Sequence, residues 1–300
     1  MIGLGAKYLK AAGFGRYRIT AASLGNLDLL GTWRWLTQAT QQAILGAFGV
    51  TDGMAVINAT NDYLNGIAAS DMDKATALAG FINEWPYMAY YIIQGELAYY
   101  LNGSDALVDG KWTDRIDPTI QWTLNGSCAK NQDNDGFIIN NGSAYMYHRS
   151  TGTDYNLHNH FIVLAEFTAG EDGFIMDWGS ITNTPKNLSF GKAKNGDANM
   201  NWKMQGNNSN PGVAVAAPAM SAGRHYLTWE IRDAGNGFDF FKYTQDLVEY
   251  QTGGIIPKAT NFNGYTEWSN KDFYIGRGVA GASYSNMVGI IHKIAIFVID

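Results

Sequence analysis

The feature that most constrains this chain is a series of short apolar or alternating segments that begins near residue 105 and runs to residue 300. Clusters of Gly, Asn, Asp and Ser separate the segments, and helical periodicity is almost absent between them. The eleven segments are TIQWTL, GFIIN, SAYMYHR, HFIVLAEFTA, GFIMDWGS, NLSFGK, NMNWKMQ, HYLTWEI, FDFFKYT, DFYIGRG and GIIHKIAIFVID. This spacing predicts about eleven strands in an antiparallel sandwich or jelly roll.

The last of these segments, residues 289–300, is apolar at almost every position. Strict alternation places Ile290, Ile294, Ile296 and Val298 on one face and Ile291, Ala295, Phe297 and Ile299 on the other. A strand this apolar is unfavourable to leave exposed, so we expect it to pair inside a sheet and to belong to a domain core.

From about residue 33 to residue 100 the spacing is helical instead. SDMDKATALAGFIN, residues 70–83, begins with Ser70, which we expect to cap a helix. Its predicted apolar stripe is Met72, Ala75, Ala79 and Ile82. The next segment, YMAYYIIQGELAYYL at residues 87–101, fits a buried helix or a strand, and its periodicity does not distinguish the two.

Composition excludes several classes of function. The formal net charge of −6 and the pI near 5.3 argue against nucleic acid as the main partner. The single cysteine, Cys128, excludes an internal disulfide framework and a thiolate-rich metal site. No run reaches the roughly 18 apolar residues of a membrane span, and the opening residues do not resemble a secretory signal. We therefore expect no membrane insertion.

The order of the β segments resembles the laminin-G-like, concanavalin-A-like jelly roll. The resemblance is carried by residues 160–180, 223–250, 272–278 and 289–300, and residues 109–128 resemble the beginning of such domains in bacterial and phage proteins. It covers residues 105–300 and implies an antiparallel β-sandwich there. Together with the mainly helical region that the spacing predicts at 1–104, we expect an α+β chain that is mainly β. The fold hosts lectins, adhesins, glycosidases and structural modules, so it leaves function open.

The overall layout resembles that of phage virion appendages, in which the N-terminal part docks on the particle and the distal part faces the host. The first 35 residues are locally basic, and the docking candidates are Lys7, Lys10, Arg16 and Arg18. The segment GRYRITA can add to the sheet edge of a partner while its arginines meet acidic side chains. The alternative is an ordinary edge strand with solvated arginines.

Catalytic carboxylates are not evident in the sequence. Glycosidases of this fold carry acidic residues two positions apart on one strand, whereas Glu166, Asp177, Glu230 and Asp239 each stand alone. Motifs for a nucleophilic serine or for phosphate binding are also missing. We expect a protein that is not an enzyme, and the alternative is a glycoside hydrolase whose carboxylates come from separate strands.

Two weak metal patterns occur. NQDNDG contains Asp133 and Asp135 and resembles the first half of a calcium loop, although an Asn/Asp-rich turn explains it equally well. His158 and His160, together with Asp154, have the spacing of metal ligands, but polar residues before a strand are the simpler interpretation. We expect no cofactor and keep calcium as an alternative.

Aromatic and amide side chains favour carbohydrate binding, because sugar rings stack on aromatics while amides bind hydroxyls. The candidates lie in two loop-like runs on either side of the DFYIGRG segment, and they are Asn263, Tyr265, Trp268, Asn270, Tyr284 and Asn286. In the alternative interpretation Trp268 only caps the sandwich core.

The sequence thus predicts a structural or adhesive component of a virion or similar assembly. We expect other virion proteins as partners of the N-terminal region, a host-surface glycan as candidate ligand, and a homo-oligomer. The expected location is the virion. The alternatives are a bacterial surface or secreted lectin, a polysaccharide-active hydrolase, and a jelly roll that decorates a capsid without binding glycan.

Overall fold

The computed structural model divides the chain into two compact units, Met1–Glu96 and Leu97–Asp300. It describes residues 53–85, 87–140, 144–149, 160–171, 174–179, 187–192, 199–205, 212–216, 223–235, 238–246, 248–257, 272–276 and 288–299. The docking and oligomerisation role expected for residues 1–104 stays a prediction.

Three helices lie in the described part of the first unit: α1 Gly53–Ala68, α2 Met72–Glu84 and α3 Met88–Ile92. None of them is both long and apolar enough to cross a membrane. The cap of α2 is Asp71, whose carboxylate accepts a hydrogen bond from the Lys74 N–H at 2.9 Å. The prediction of Ser70 as the cap is therefore wrong by one residue. The Ser70 hydroxyl instead donates to the Ile67 carbonyl at the end of the preceding helix, at 3.1 Å.

The buried stripe of α2 is Ala75, Leu78, Ala79 and Ile82. Leu78 joins the predicted stripe, and Met72 in the first turn is only half-buried. The ambiguous segment at residues 87–101 contains both structures, because α3 ends before Gly95 and strand β1 starts at Glu96.

Sixteen strands are described: β1 Glu96–Asn102, β2 Lys111–Thr113, β3 Gln121–Gly126, β4 Ala129–Lys130, β5 Phe137–Ile139, β6 Ala144–His148, β7 His160–Glu171, β8 Phe174–Gly179, β9 Asn187–Lys192, β10 Asn199–Gln205, β11 Gly212–Ala216, β12 Gly223–Gly235, β13 Phe238–Gln245, β14 Val248–Pro257, β15 Asp272–Ile275 and β16 Val288–Val298.

These strands form two eight-stranded sheets. The first sheet has the order β14-β13-β12-β7-β16-β5-β4, with β1 also paired to β16, and the second has the order β11-β10-β9-β8-β15-β6-β3-β2. Every pair with a described register is antiparallel.

One hydrophobic core contains side chains from both sheets. Trp112 of the second sheet contacts Phe137 of the first, with ring centroids 4.7 Å apart. Within the second sheet, Trp122 meets Phe273 edge-on at 4.4 Å. Trp229 from the first sheet is also fully buried in this core. The predicted fold class, an α+β chain that is mainly β with an antiparallel sandwich, is confirmed.

The closing strand β16 lies inside the first sheet between β7 and β5, as predicted. A bulge between Ile291 and Lys293 interrupts its alternation. Because of the extra residue, Ile291 shares the core with Ile294 and Ile296, so the predicted division of faces is wrong around the bulge. The bulge also displaces His292 from the regular ladder, and this residue belongs to a charged cluster described below.

Candidate functional site

A cluster of three tyrosines lies on the outer face of the second sheet. Strand β6 alternates strictly: Ala144 and Met146 enter the core, while Tyr145 and Tyr147 are half-buried on the opposite face. Tyr274 of the neighbouring strand β15 pairs with Tyr147 and completes the cluster.

The three rings contact one another side by side. The Tyr147 and Tyr274 centroids are 6.0 Å apart with an interplanar angle of 27°. Tyr145 lies 6.3 Å from Tyr147 and 6.1 Å from Tyr274, at angles near 40°. The accessible part of this aromatic surface comes mainly from the half-buried Tyr145 and Tyr147, because Tyr274 is only 8% exposed. It is about as wide as one sugar ring, and each ring carries a hydroxyl group. We call these three residues the tyrosine platform.

Polar side chains of β3 lie directly beside the tyrosine platform. Thr123 pairs with Tyr147, and Asn125 pairs with Tyr145. Both side chains are half-buried on the face opposite the core residue Trp122. Within the described ranges, the Thr123 hydroxyl and the Asn125 amide make no hydrogen bond to protein. The Thr123 hydroxyl and the Asn125 amide therefore place hydrogen-bond donors and acceptors along one side of the tyrosine platform.

The row continues to Lys111 on β2, which pairs with Thr123. A tight turn fixes this position: Asp109 and Gly110 have positive φ angles of 51° and 76°, as a two-residue type I′ hairpin requires. The Val108 and Lys111 backbones exchange two hydrogen bonds of 2.9 Å across that turn. The Lys111 side chain is half-buried and has no ion-pair partner in the described part of the chain.

A second polar group, the Glu166 cluster, lies on the outer face of the first sheet. The Glu166 side chain is only 2% exposed, and its carboxylate accepts from Lys293 Nζ at 2.8 Å and from Arg224 at 3.0 Å. Arg224 also bonds the carboxylate of Asp135, in the loop between β4 and β5. Burial alone would raise the pKa of Asp135, but hydrogen bonds from Arg224 and from Asn131 outweigh burial and lower it.

His292, at the bulge of β16, joins the same cluster. Its Nδ1 lies 3.2 Å from the Asp135 carbonyl oxygen, and its Nε2 lies 2.9 Å from the Thr168 hydroxyl. A carbonyl can only accept, so the neutral ring carries its hydrogen on Nδ1 and accepts from Thr168 at Nε2. Burial, reinforced by the charge of Arg224, lowers the pKa of His292 below its ordinary value.

The loop proposed for calcium is closed by its own hydrogen bonds. The Asn131 side chain accepts from the Asp135 and Gly136 N–H groups at 3.0 Å and donates to the Asp135 carboxylate at 2.7 Å. Asp133 is exposed at the tip. Nowhere in the described ranges do three or more His, Cys, Asp or Glu side chains converge as metal ligands. Calcium at Asp133 and Asp135 stays a prediction.

Two of the four lone carboxylates, Glu166 and Glu230, lie too far apart to act as a catalytic pair. Glu230 pairs with Ile162, whereas Glu166 is four residues further along β7, about 13 Å away at strand spacing. Glu230 binds His160 Nε2 at 2.8 Å. Burial would raise the pKa of Glu230, but the hydrogen bond and charge of His160 lower it. Asp154 and His158, the other predicted metal ligands, lie outside the described residues.

The predicted carbohydrate-binding residues also lie outside the described part of the chain: Asn263, Tyr265, Trp268, Asn270, Tyr284 and Asn286. The same holds for the docking candidates Lys7, Lys10, Arg16 and Arg18. The tyrosine platform was not predicted. The signal was present in SAYMYHR, because tyrosines at positions i and i+2 of a strand lie on one face. What the sequence could not supply is the pairing of that strand with β15.

No family model and no curated protein matches the sequence. Domain 4 of AbnA, an extracellular arabinanase from Geobacillus stearothermophilus in complex with arabinotriose, is 14% identical, with 69% of this chain and 94% of that chain covered and a TM-score of 0.49. A carbohydrate esterase from the Shiga toxin-encoding bacteriophage phi24B is 12% identical, at 69% and 100% coverage, with a TM-score of 0.41. The CBM40 of the Ruminococcus gnavus IT-sialidase, bound to α2,3 sialyllactose, is 10% identical, at 54% and 89% coverage, with a TM-score of 0.39.

Proposed function

We propose that this protein binds carbohydrate, without catalysis, on the outer face of its second sheet. The observation that carries the proposal is the tyrosine platform beside Thr123 and Asn125, whose side chains make no hydrogen bond to the residues that the structure describes. Apolar sugar faces stack on aromatic rings, while sugar hydroxyls need donors and acceptors that are not already used by the protein. The platform supplies both within one pair of strands.

The arrangement of the site favours binding over hydrolysis. The acidic side chains with described contacts on the first sheet already have basic partners: Glu166 binds Lys293 and Arg224, and Glu230 binds His160. On the described part of β3 and β6 the outward side chains are aromatic, hydroxyl and amide groups, with Arg149 at the end of β6. Such a surface can hold a sugar, but it has no paired carboxylates for glycoside hydrolysis.

The test is a glycan array followed by titration calorimetry, with arabinotriose and α2,3-sialyllactose included because two similar structures contain them. For each glycan bound, Tyr147→Ala should lower affinity about tenfold, since a stacked ring contributes about 1–1.5 kcal/mol. Tyr63→Ala, a half-buried tyrosine in α1, is the matched control and should not change affinity. If Tyr147→Ala binds glycan with unchanged affinity, the binding site does not lie at the tyrosine platform and the proposal is overturned.

We further propose that the protein serves as an adhesive component of a virion or similar assembly, with residues 1–104 as the docking and oligomerisation region. The layout and the locally basic start of the sequence support this role. Light scattering on the full chain should report an oligomer. Exchange of Lys7, Lys10, Arg16 and Arg18 for Gln should weaken docking or assembly, whereas a monomer that attaches to no particle would contradict the role.

A further inference from the structure

One row of paired residues crosses the second sheet at the tyrosine platform. Lys111 pairs with Thr123, Thr123 with Tyr147, and Tyr147 with Tyr274. Neighbouring strands are about 4.8 Å apart, so Lys111 lies about 10 Å from Tyr147 along this row. That distance is close to the length of two linked sugar rings.

The ammonium group of Lys111 is placed to bind a negatively charged group of a ligand. Its backbone is fixed by the type I′ turn, while its ammonium group has no ion-pair partner among the residues that the structure describes. Lys130 provides the contrast, because its ammonium group is bound to the carbonyl oxygens of Gly103 and Asp105. Lys130 is therefore part of the protein's own packing, whereas Lys111 has no such partner among the described residues.

We infer that the site takes an acidic glycan: one sugar stacks on the tyrosine platform, and the carboxylate, sulfate or phosphate of a neighbouring sugar binds Lys111. This inference rests on the proposed function and specifies its ligand class. Thr123, between Lys111 and Tyr147, faces the linkage between the two sugars. The protein as a whole carries a net charge of −6. Lys111 lies at the opposite end of the row from Asp177, which pairs with Tyr274, and Arg149 follows the end of β6.

The inference is tested with ligand pairs that differ in charge. Trigalacturonic acid and its methyl ester form one pair, and α2,3-sialyllactose and lactose form another. The full chain should bind an acidic member at least tenfold more tightly than its neutral counterpart, and the preference should shrink between 50 and 500 mM salt. The acidic binders found on the glycan array extend the same comparison.

Three variants test whether Lys111 binds the acidic group of the glycan. Lys111→Gln should remove the preference for acid without changing neutral affinity, and Lys111→Arg should retain it. Asp109→Asn removes the carboxylate in the adjacent turn and should strengthen acidic binding. It is expected to fold, because Asn-Gly is the preferred sequence of a type I′ turn.

The outcomes distinguish failure of the acidic-glycan inference from failure of the proposed carbohydrate binding. If binders are neutral, or if Lys111→Gln leaves acidic affinity unchanged, the inference is overturned while Tyr147-dependent binding keeps the proposed function. If no glycan binds at all, both are overturned. Loss of acidic preference in Lys111→Gln together with its retention in Lys111→Arg supports the inference.

Discussion

The outer faces of the two sheets carry different kinds of polar group. On the first sheet, Glu166 is buried and each of its carboxylate oxygens has a cationic partner. On the second sheet, Thr123 and Asn125 are half-buried beside tyrosines and make no side-chain hydrogen bond among the described residues. A satisfied, buried network stabilises a fold, whereas polar groups that lack a partner among the described residues, beside partly exposed aromatic rings, suit the binding of a ligand. The difference separates a structural cluster from a candidate binding site.

The largest expected effect comes from breaking the Glu166 cluster. Glu166→Ala leaves Lys293 nearly buried without its carboxylate, and breaking such a pair costs about 3–5 kcal/mol in free energy of unfolding. Urea denaturation at pH 7 measures the loss, and glycan affinity should be unchanged.

A double variant sharpens this test. Glu166→Leu combined with Lys293→Met removes both charges, so most of the lost stability should return. A loss below about 1 kcal/mol for Glu166→Ala alone would mean that the cluster is not what holds this part of the sheet.

The next effect concerns the close approach of the 131–136 loop to β16. A Cβ added at Gly136 would lie 2.6 Å from an Ile290 methyl group and 2.8 Å from both His292 Nδ1 and the Ile291 carbonyl oxygen. The backbone oxygen cannot move away easily, so Gly136→Ala should destabilise the fold by about 1–3 kcal/mol.

Gly80 provides the matched control, because nothing lies within 4 Å of a Cβ at this position of α2. Gly80→Ala should raise stability by about 0.5–1 kcal/mol, since alanine loses less backbone entropy in a helix. Thermal melts of the two variants should therefore shift in opposite directions, and a shift in the same direction would contradict the packing described here.

A smaller effect depends on pH. The folded-state pKa of His292 is lower than its unfolded value near 6.5, so below that pH the unfolded chain binds a proton that the folded protein does not. The free energy of unfolding should fall as pH drops from about 6.5, by at most about 1.4 kcal/mol per unit from this group.

The variant His292→Gln isolates this contribution. Urea denaturation at pH 7, 6 and 5 should show a shallower pH dependence for His292→Gln than for the parent chain, although the variant is less stable at pH 7. Equal slopes in the two proteins would show that His292 is not protonated preferentially on unfolding. Glycan affinity at the second sheet should not follow the His292 titration.

Much of the fold could be predicted from short-range patterns. Turn residues and alternation in segments such as SAYMYHR reveal strands, and the apolar 289–300 segment reveals a central strand. The bulge at His292 could not be predicted, because it appears only in the pairing of β16 with β7, two strands that are far apart in sequence. The sites depend on the same long-range pairing: Tyr147 and Tyr274 are distant in sequence and adjacent only in the sheet.

The last comparison makes the same substitution, threonine to valine, once in each sheet. Thr123→Val keeps the shape and strand preference of threonine but removes a hydroxyl that no described residue uses. It should lower glycan affinity about fivefold, the value of one hydrogen bond, and leave stability unchanged. Thr168→Val removes the donor to His292 Nε2 and should cost about 1–2 kcal/mol of stability, without altering binding. Calorimetry measures glycan affinity and urea denaturation measures stability for both variants. If Thr168→Val weakened glycan binding while Thr123→Val lowered only stability, the binding site would lie on the first sheet rather than on the second.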